Sequence, residues 1–489
     1  MRKLAGPLLT MLTFTALPAA AHAQTDAKPA AAPARPPLPA NWTLPANAKI
    51  AELIDARIAQ RPGEGIVVGV LDRSGRRIVA RGPGGKAAPF GDRTVLEIGS
   101  MSKIFTALLL ADMAAKGEVS LDDPAEKYLP AGAKMPERNG RKITLRDLAN
   151  QHSGLPRLPS NMPFGNLEDP YADYTEEMML DFLGGYQLTR DIGSQFEYSN
   201  LGVGLLGYLL GRADHSDYET MIARRITGPL GMRDTAITLS ADQKARFAQG
   251  HDAYMRPTGP WSLPTLAGAG ALRSTITDML IFVNAAMNPK SPIAPAMKLA
   301  TAERWPLGAA GRSIGLGWII GEPAQGRETL FHNGGTGGFR SAMLLEPGRG
   351  SAVVVLTNAS VEPSSDDLAS HILLGTPLQP LVPVPPAPAP QPAQAARTEV
   401  TLPPAELERV IGRYEFAPGV TVVIAREGTG LTAQLTGQPA FQIFAEAPLN
   451  FFLRVADAQL RFIAGSDGKV TGMTLVQAGQ SQEAKRVAP

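Results

Sequence analysis

Apolar positions along this chain change period several times, and the changes mark out its elements. Ile50 to Ala59 reads as a helix. Two short apolar runs follow, Ile66 to Leu71 and Ile78 to Ala80. They read as strands joined by the turn Asp72-Arg73-Ser74-Gly75. Thr94 to Ile98 is strand-like and leads into an apolar helical run, Ile104 to Ala115, closed by Lys116-Gly117. The middle of the chain is helical and loop-rich and includes a helix over Leu201 to Leu210. Strands return at Gly317 to Ile320, Thr329 to His332, Ser341 to Leu345 and Ala352 to Thr357, before a helix near Asp366 to Leu374. Strands at both ends around a helical middle predict an α+β fold, an antiparallel sheet flanked by helices with a helical subdomain.

Past residue 375 the texture changes. Pro377 to Pro392 alternates proline with small residues and reads as an extended linker. Val400 to Val487 then behaves as a separate all-β module. Its strands are Val420 to Ala425, Leu431 to Leu435, Phe451 to Val455, Gln459 to Ile463 and Met473 to Gln477, with turns at Glu427-Gly428-Thr429-Gly430 and Gly465-Ser466-Asp467-Gly468. Its aromatic run, Phe441, Phe444, Phe451 and Phe452, reads as core rather than a ligand pocket.

Composition narrows the class. A chain of 489 residues allows two or three domains, and 44% apolar content is ordinary for a globular protein. With 47 Lys and Arg against 45 Asp and Glu, the chain is nearly balanced and offers no basic stretch for nucleic acid. Met1 to Ala23 reads as a cleaved secretory signal. Arg2 and Lys3 form its positive start, Leu8 to Leu17 its apolar middle, and Ala21-His22-Ala23 its small-x-small end. Lys28 to Pro39 is a spacer of alanine and proline. No later segment reaches membrane-spanning length unbroken, so no stable membrane insertion is expected. The absence of cysteine removes disulfides and thiolate metal ligands. His152 has no second ligand at helical or hairpin spacing, so no metal is expected there. These features predict a periplasmic or secreted protein with a signal at 1–23, a spacer at 24–48, a first domain at 49–375, a linker at 376–398 and a second domain at 399–489.

The candidate chemistry begins at Ser100-Met101-Ser102-Lys103. Ser100 opens the predicted helix, where free backbone N–H groups and the helix dipole favour developing negative charge. Lys103 lies one turn on along the same face, so its amine can approach the Ser100 oxygen. A lysine held in a dry pocket loses proton affinity and can serve as a base. A Ser-x-x-Lys tetrapeptide alone is weak, since about one is expected by chance at this length. Its order relative to Tyr198-Ser199-Asn200 and His332-Asn333-Gly334 gives it weight. A rival, Gly311-Arg312-Ser313-Ile314-Gly315, matches the elbow of α/β-hydrolases. That elbow needs a strand before the serine and a helix after it, whereas Leu316 to Ile320 reads as a strand.

On these triplets the chain resembles the serine β-lactamase and penicillin-binding-protein superfamily, in its class C β-lactamase, D-alanyl-D-alanine carboxypeptidase and carboxylesterase branch. The resemblance extends through Gly117 to Pro124, His152-Ser153-Gly154-Leu155-Pro156, Gly270 to Thr275, Gly315-Leu316-Gly317-Trp318 and His332 to Phe339, covering roughly residues 50 to 375. It implies that Ser100 is the acylated nucleophile and that Lys103 and Tyr198 move protons. It further implies that Asn200, His332 and Gly334 line the substrate site, and that the backbone N–H groups of Ser100 and Gly335 form the oxyanion hole. The family's β-lactamase form has lysine where this chain has His332, and histidine is only fractionally charged near neutral pH. The Leu155 to Tyr174 segment is expected to form a wall of the cleft. The C-terminal module resembles the small lipocalin-like β-barrel appended to some members. The expected function is therefore an exported serine hydrolase of β-lactams or cell-wall-type D-amino-acid peptides, needing no cofactor. A carboxylesterase on small esters and a non-catalytic penicillin-binding sensor are the alternatives. The partner expected is a small-molecule or peptide substrate; protein partners are left open.

Overall fold

The computed structural model describes residues 41–84, 90–163, 166, 168–308, 311–321, 327–386, 397–417, 419–427, 430–436, 438, 440–454, 456–477 and 480–487. The signal at 1–23, the Lys28 to Pro39 spacer and the later part of the proline-rich linker lie outside them. So do Gly428-Thr429 of one predicted turn and Val455 at the end of one predicted strand. The described residues group into two compact units, one reaching residue 386 and the other beginning at 397.

In the first unit, helix α1 (Asn47–Ile58) leads into strands β1 (Ile66–Asp72) and β2 (Gly75–Arg81). Later strands complete the sheet: β3 (Trp305–Pro306), β4 (Arg312–Ile314), β5 (Ile319–Gly321), β6 (Thr329–Gly335), β7 (Arg340–Glu346) and β8 (Ser351–Thr357). Their order is β2-β1-β8-β7-β6-β5-β4-β3, antiparallel throughout. The α+β arrangement expected from the hydrophobic pattern is observed.

Strands β1, β7 and β8 are apolar almost without alternation because helices cover both faces of the sheet there. On one face α1 and the helix Ser365–Leu374 bury Ile50, Ile54, Leu368 and Ile372 against Val68, Leu344 and Val355. On the other lies the helix Ile276–Met287, which carries Phe282. That ring stacks on Phe105 of α2 (Ser102–Ala115), with centroids 4.5 Å apart. Strand β6 alternates: Leu330, His332 and Gly334 turn inward while Asn333 is exposed.

Local differences from the pattern have plain causes. Of Thr94 to Ile98 only Leu96–Glu97 is strand, paired with Arg273–Ser274, because the chain turns at Gly99 (φ +50°) to start the nucleophile segment. The strand expected from Gly317 begins at Ile319, since Gly317 adopts φ +75°.

The second unit is a closed antiparallel barrel of eight strands. The hydrophobic pattern predicts five of them. Gly412–Ala417, Ala440–Ala447 and Gln480–Val487 were missed because polar, glycine and alanine residues dilute their alternation. Phe444, Phe451 and Phe452 are buried in it, as a core role requires. Among the described residues no helix is long and apolar enough to cross a membrane.

Candidate active site

Ser100 sits in a single 3-10 turn, Gly99–Met101, that runs directly into α2. The sheet and helical parts both hold this turn. Ser341 Oγ on β7 donates to the Ile98 carbonyl at 2.8 Å, and the Ile98 N–H donates to the Leu272 carbonyl at 3.1 Å. The Leu272 N–H in turn donates to Ser102 Oγ at 3.1 Å. Strand β6 presses against the same turn. A Cβ on Gly334 would stand 2.1 Å from the Ile98 oxygen and 2.9 Å from the Ser100 nitrogen, and one on Gly99 would stand 2.7 Å from the Gly335 nitrogen. Only glycines permit this approach, which brings the main-chain amide of Gly335 beside the nucleophile turn. The side chain of Arg340 donates to the Thr336 and Phe339 carbonyls at 3.0 and 3.2 Å, holding the turn that follows β6.

Lys103 is wholly buried, and its Nζ lies 3.0 Å from Ser100 Oγ and 2.6 Å from the Ala269 carbonyl oxygen. Burial lowers its pKa from the ordinary lysine value, with the Tyr198 oxygen opposing and Arg157 assisting that shift. The same Nζ stands 4.8 Å from the centre of the Tyr198 ring. Burial would raise the Tyr198 phenol, but the charges of Lys103 and Arg157 and hydrogen bonding with Ser100 and Lys103 outweigh it. The net shift is downward.

Tyr198 is placed by the start of helix α3 (Asn200–Asp214). Ser199 caps this helix, accepting from the Gly202 N–H at 2.8 Å and donating to the Pro156 carbonyl at 2.6 Å. The Ser199 N–H donates to Gln151 Oε1 at 2.7 Å. The His152 stretch is thus the scaffold on which the tyrosine triplet rests. His152 itself is buried, its Nδ1–H donating to the Asn150 carbonyl at 2.8 Å.

Asn200 makes no hydrogen bond to Lys103. Its Nδ2 donates to the Tyr171 hydroxyl at 2.8 Å, and its buried Oδ1 has no partner among the described residues. Because a phenol can donate or accept, the amide can offer either end to a bound group. Tyr171 comes from the segment expected to wall the cleft, and its ring packs on Trp261 at 5.4 Å between centroids.

His332 lies on β6 opposite Met343, 3% exposed. Its Nδ1 faces the Asn333 carbonyl at 2.6 Å, and a carbonyl can only accept, so the proton resides on Nδ1 and Nε2 carries a lone pair. Burial and the neighbouring Lys103 charge pull its pKa down to about 4, against the Asn333 hydrogen bond. This wall of the site therefore presents a neutral acceptor, not a cation, near neutral pH. Glu97, 3% exposed, accepts from the backbone N–H of Trp261 at 2.9 Å and faces Arg273 at 3.4 Å. Burial raises it to about 7 despite that arginine.

The three triplets are brought together. The rival Ser313 is not part of the cluster: it lies within β4, paired with Pro306 and Ile320, with no helix after it. Two neighbours had no sequence signal. Ala269 contributes only a carbonyl, and Arg157 follows a recognisable stretch but belongs to no motif. Its guanidinium carbon stands 5.1 Å from the centre of the Tyr198 ring.

Fold and relatives together define a serine hydrolase of the β-lactamase/DD-peptidase type. The chain belongs to the beta-lactamase family, whose model matches residues 50–376. Residues 396–486 match a second family model, described as a domain of unknown function, DUF3471. The D-alanyl-D-alanine-carboxypeptidase/endopeptidase AmpH of Escherichia coli K12 is 32% identical over 314 residues, 60% of this chain and 80% of that protein. Penicillin-binding protein 4* of Bacillus subtilis is 26% identical over 424 residues, 81% of this chain and 89% of that protein. A crystal structure of a beta-lactamase/D-alanine carboxypeptidase from Yersinia pestis superimposes with a TM-score of 0.57 at 23% identity, covering 68% of this chain and 97% of that one.

Proposed function

We propose that this chain is an exported hydrolase that forms an acyl-enzyme on Ser100, from β-lactams or from cell-wall-type peptides ending in D-amino acids, and releases it to water. The observation that carries this reading is the 3.0 Å approach of a wholly buried lysine amine to the Ser100 oxygen, with a phenol beside both.

A neutral Lys103 can donate to the Ala269 carbonyl while its lone pair receives the Ser100 proton. Tyr198, coupled to that amine, relays the proton to the departing group. The Ser100 and Gly335 N–H groups receive the charge on the tetrahedral oxygen, an assignment supported by the glycine-only approach of β6 to the Ser100 turn. Asn200, Gly334 and His332 line the substrate side. Deacylation repeats these steps with water in place of the leaving group. Residues 1–23 act as the signal directing the protein to the periplasm or the exterior. Residues 49–375 form the catalytic domain, joined by 376–398 to the barrel at 399–489.

Ser100→Ala should abolish both turnover and covalent labelling by a fluorescent penicillin while the protein stays folded. Labelling that persists in the variant would place the nucleophile elsewhere. Carboxylesterase activity is the second reading, favoured by the neutral His332 where a permanent cation would select anionic substrates. A chromogenic cephalosporin and a short-chain p-nitrophenyl ester, assayed on one preparation, separate the two.

A further inference from the structure

We propose that Arg157 is the anion anchor of this cleft: its guanidinium receives a carboxylate carried by the substrate, at a site whose β6 wall supplies no cation. The proposal rests on the Ser100 acyl-enzyme reading and adds the residue that would receive the carboxylate of such substrates.

Three observations carry it. The first is the chemistry of β6, where His332 spends its one N–H on the Asn333 carbonyl, so the neutral ring has no second N–H to donate to a carboxylate. The second is that the guanidinium of Arg157 has no carboxylate or carbonyl partner among the described residues; its hydrogen bonds there are made by its backbone oxygen. Enclosed arginines elsewhere in the chain are compensated. Arg57 pairs with Asp367, Arg273 with Glu97, and Arg225 with Asp112, Glu118 and Asp214. A half-buried guanidinium with five unclaimed donors bears a desolvation cost that a bound oxyanion would offset.

The third observation is orientation. The guanidinium stands over the Tyr198 ring 5.1 Å from its centre, with Lys103 Nζ 4.8 Å from the same centre. Stacking on the ring restrains the guanidinium while leaving its N–H edges open to a bidentate carboxylate. Tyr198 is the proposed proton relay, so an anion on Arg157 would hold the substrate beside the reacting bond.

The test uses the full chain with Arg157→Gln and Arg157→Lys, and two substrate pairs. One pair is an acyl-D-alanyl-D-alanine and its C-terminal amide. The other is a p-nitrophenyl ester with an acidic acyl chain and its neutral homologue. The fold should survive, since the Asn200 and Leu201 N–H groups donate to the backbone carbonyl of Arg157, not to its side chain. In Arg157→Gln the acid-to-neutral ratio of kcat/KM should fall roughly 10- to 100-fold for at least one pair, chiefly through KM, as expected for losing charge-assisted bonds. Arg157→Lys should recover part of it. Unchanged ratios in both pairs would overturn the anchor. Should Arg157→Gln fail to fold, inhibition of the wild type by N-acetyl-D-alanine and its amide decides: the acid should inhibit at least tenfold better, and parity overturns the proposal. Failure of the Ser100 reading is separate, since Ser100→Ala would then keep its turnover and labelling whatever Arg157 variants do.

Discussion

The Lys103 amine lies 4.8 Å from the centre of the Tyr198 ring, and the pKa of each side chain is displaced below its ordinary value. For Lys103 the cause is burial. For Tyr198 it is the cationic neighbours, which overcome burial. The amine and phenol thus move toward each other in function, one able to lose a proton and the other able to hold negative charge.

Lys103→Met keeps the length of a side chain that is fully enclosed but removes the amine. Acylation of Ser100 should slow by about 10²- to 10⁴-fold, the range typical of losing a positioned base. Stopped-flow labelling with a reporter β-lactam measures it, and a loss below about tenfold would show that the amine is not the base.

Tyr198→Phe addresses the pH profile. A phenol held below its ordinary value near 10 is increasingly ionised as pH rises, so the wild-type kcat/KM should climb with pH along a limb lying below that ordinary value. The phenylalanine variant should lose that limb along with most of its activity. Retention of the same limb would assign it to another group.

His332, pulled down to about 4, should remain neutral through the whole neutral range. Its imidazole resonance, identified by its absence in His332→Gln, should titrate near 4 in an NMR series rather than near 6.5. Replacing it by lysine installs a cation on β6, and the ratio of cephalosporin to ester hydrolysis should rise.

Glu97 gives the molecule a pH-dependent stability. Its folded pKa, about 7, lies above the unfolded carboxyl value of 4.5, so between those pH values the folded state keeps a proton the unfolded chain has released. Stability from this group is therefore full below about 4.5 and declines as pH rises toward 7, by at most about 1.4 kcal/mol per pH unit. Urea unfolding across pH 4.5 to 8 should show a difference between wild type and Glu97→Gln that shifts in favour of the variant as pH rises. A pH-independent difference would count against a titrating Glu97.

Much of this was legible in the residues themselves. Local patterns specify local structure: the apolar run after Lys103 gave the nucleophile helix, and the buried strands β1, β7 and β8 announced themselves as unbroken apolar segments. The three triplets identified the cluster because each combines a reactive group with the turn chemistry that displays it. Ser199 caps a helix and so places Tyr198; Gly334 admits a backbone and so places Ser100.

What the chain alone determined, then, were its elements and the identities of the groups that could react. Tertiary packing decided their chemical state and company. Whether Lys103 is dry, whether His332 is charged, and that Asn200 turns to Tyr171 all depend on residues tens to hundreds of positions away. Arg157 had no partner in sequence to give it meaning; its proposed role emerges only where the fold sets it over Tyr198 with no carboxylate partner among the described residues. The reason is physical: propensity and periodicity act over a few residues, whereas desolvation and charge coupling act through space between segments that only folding brings together.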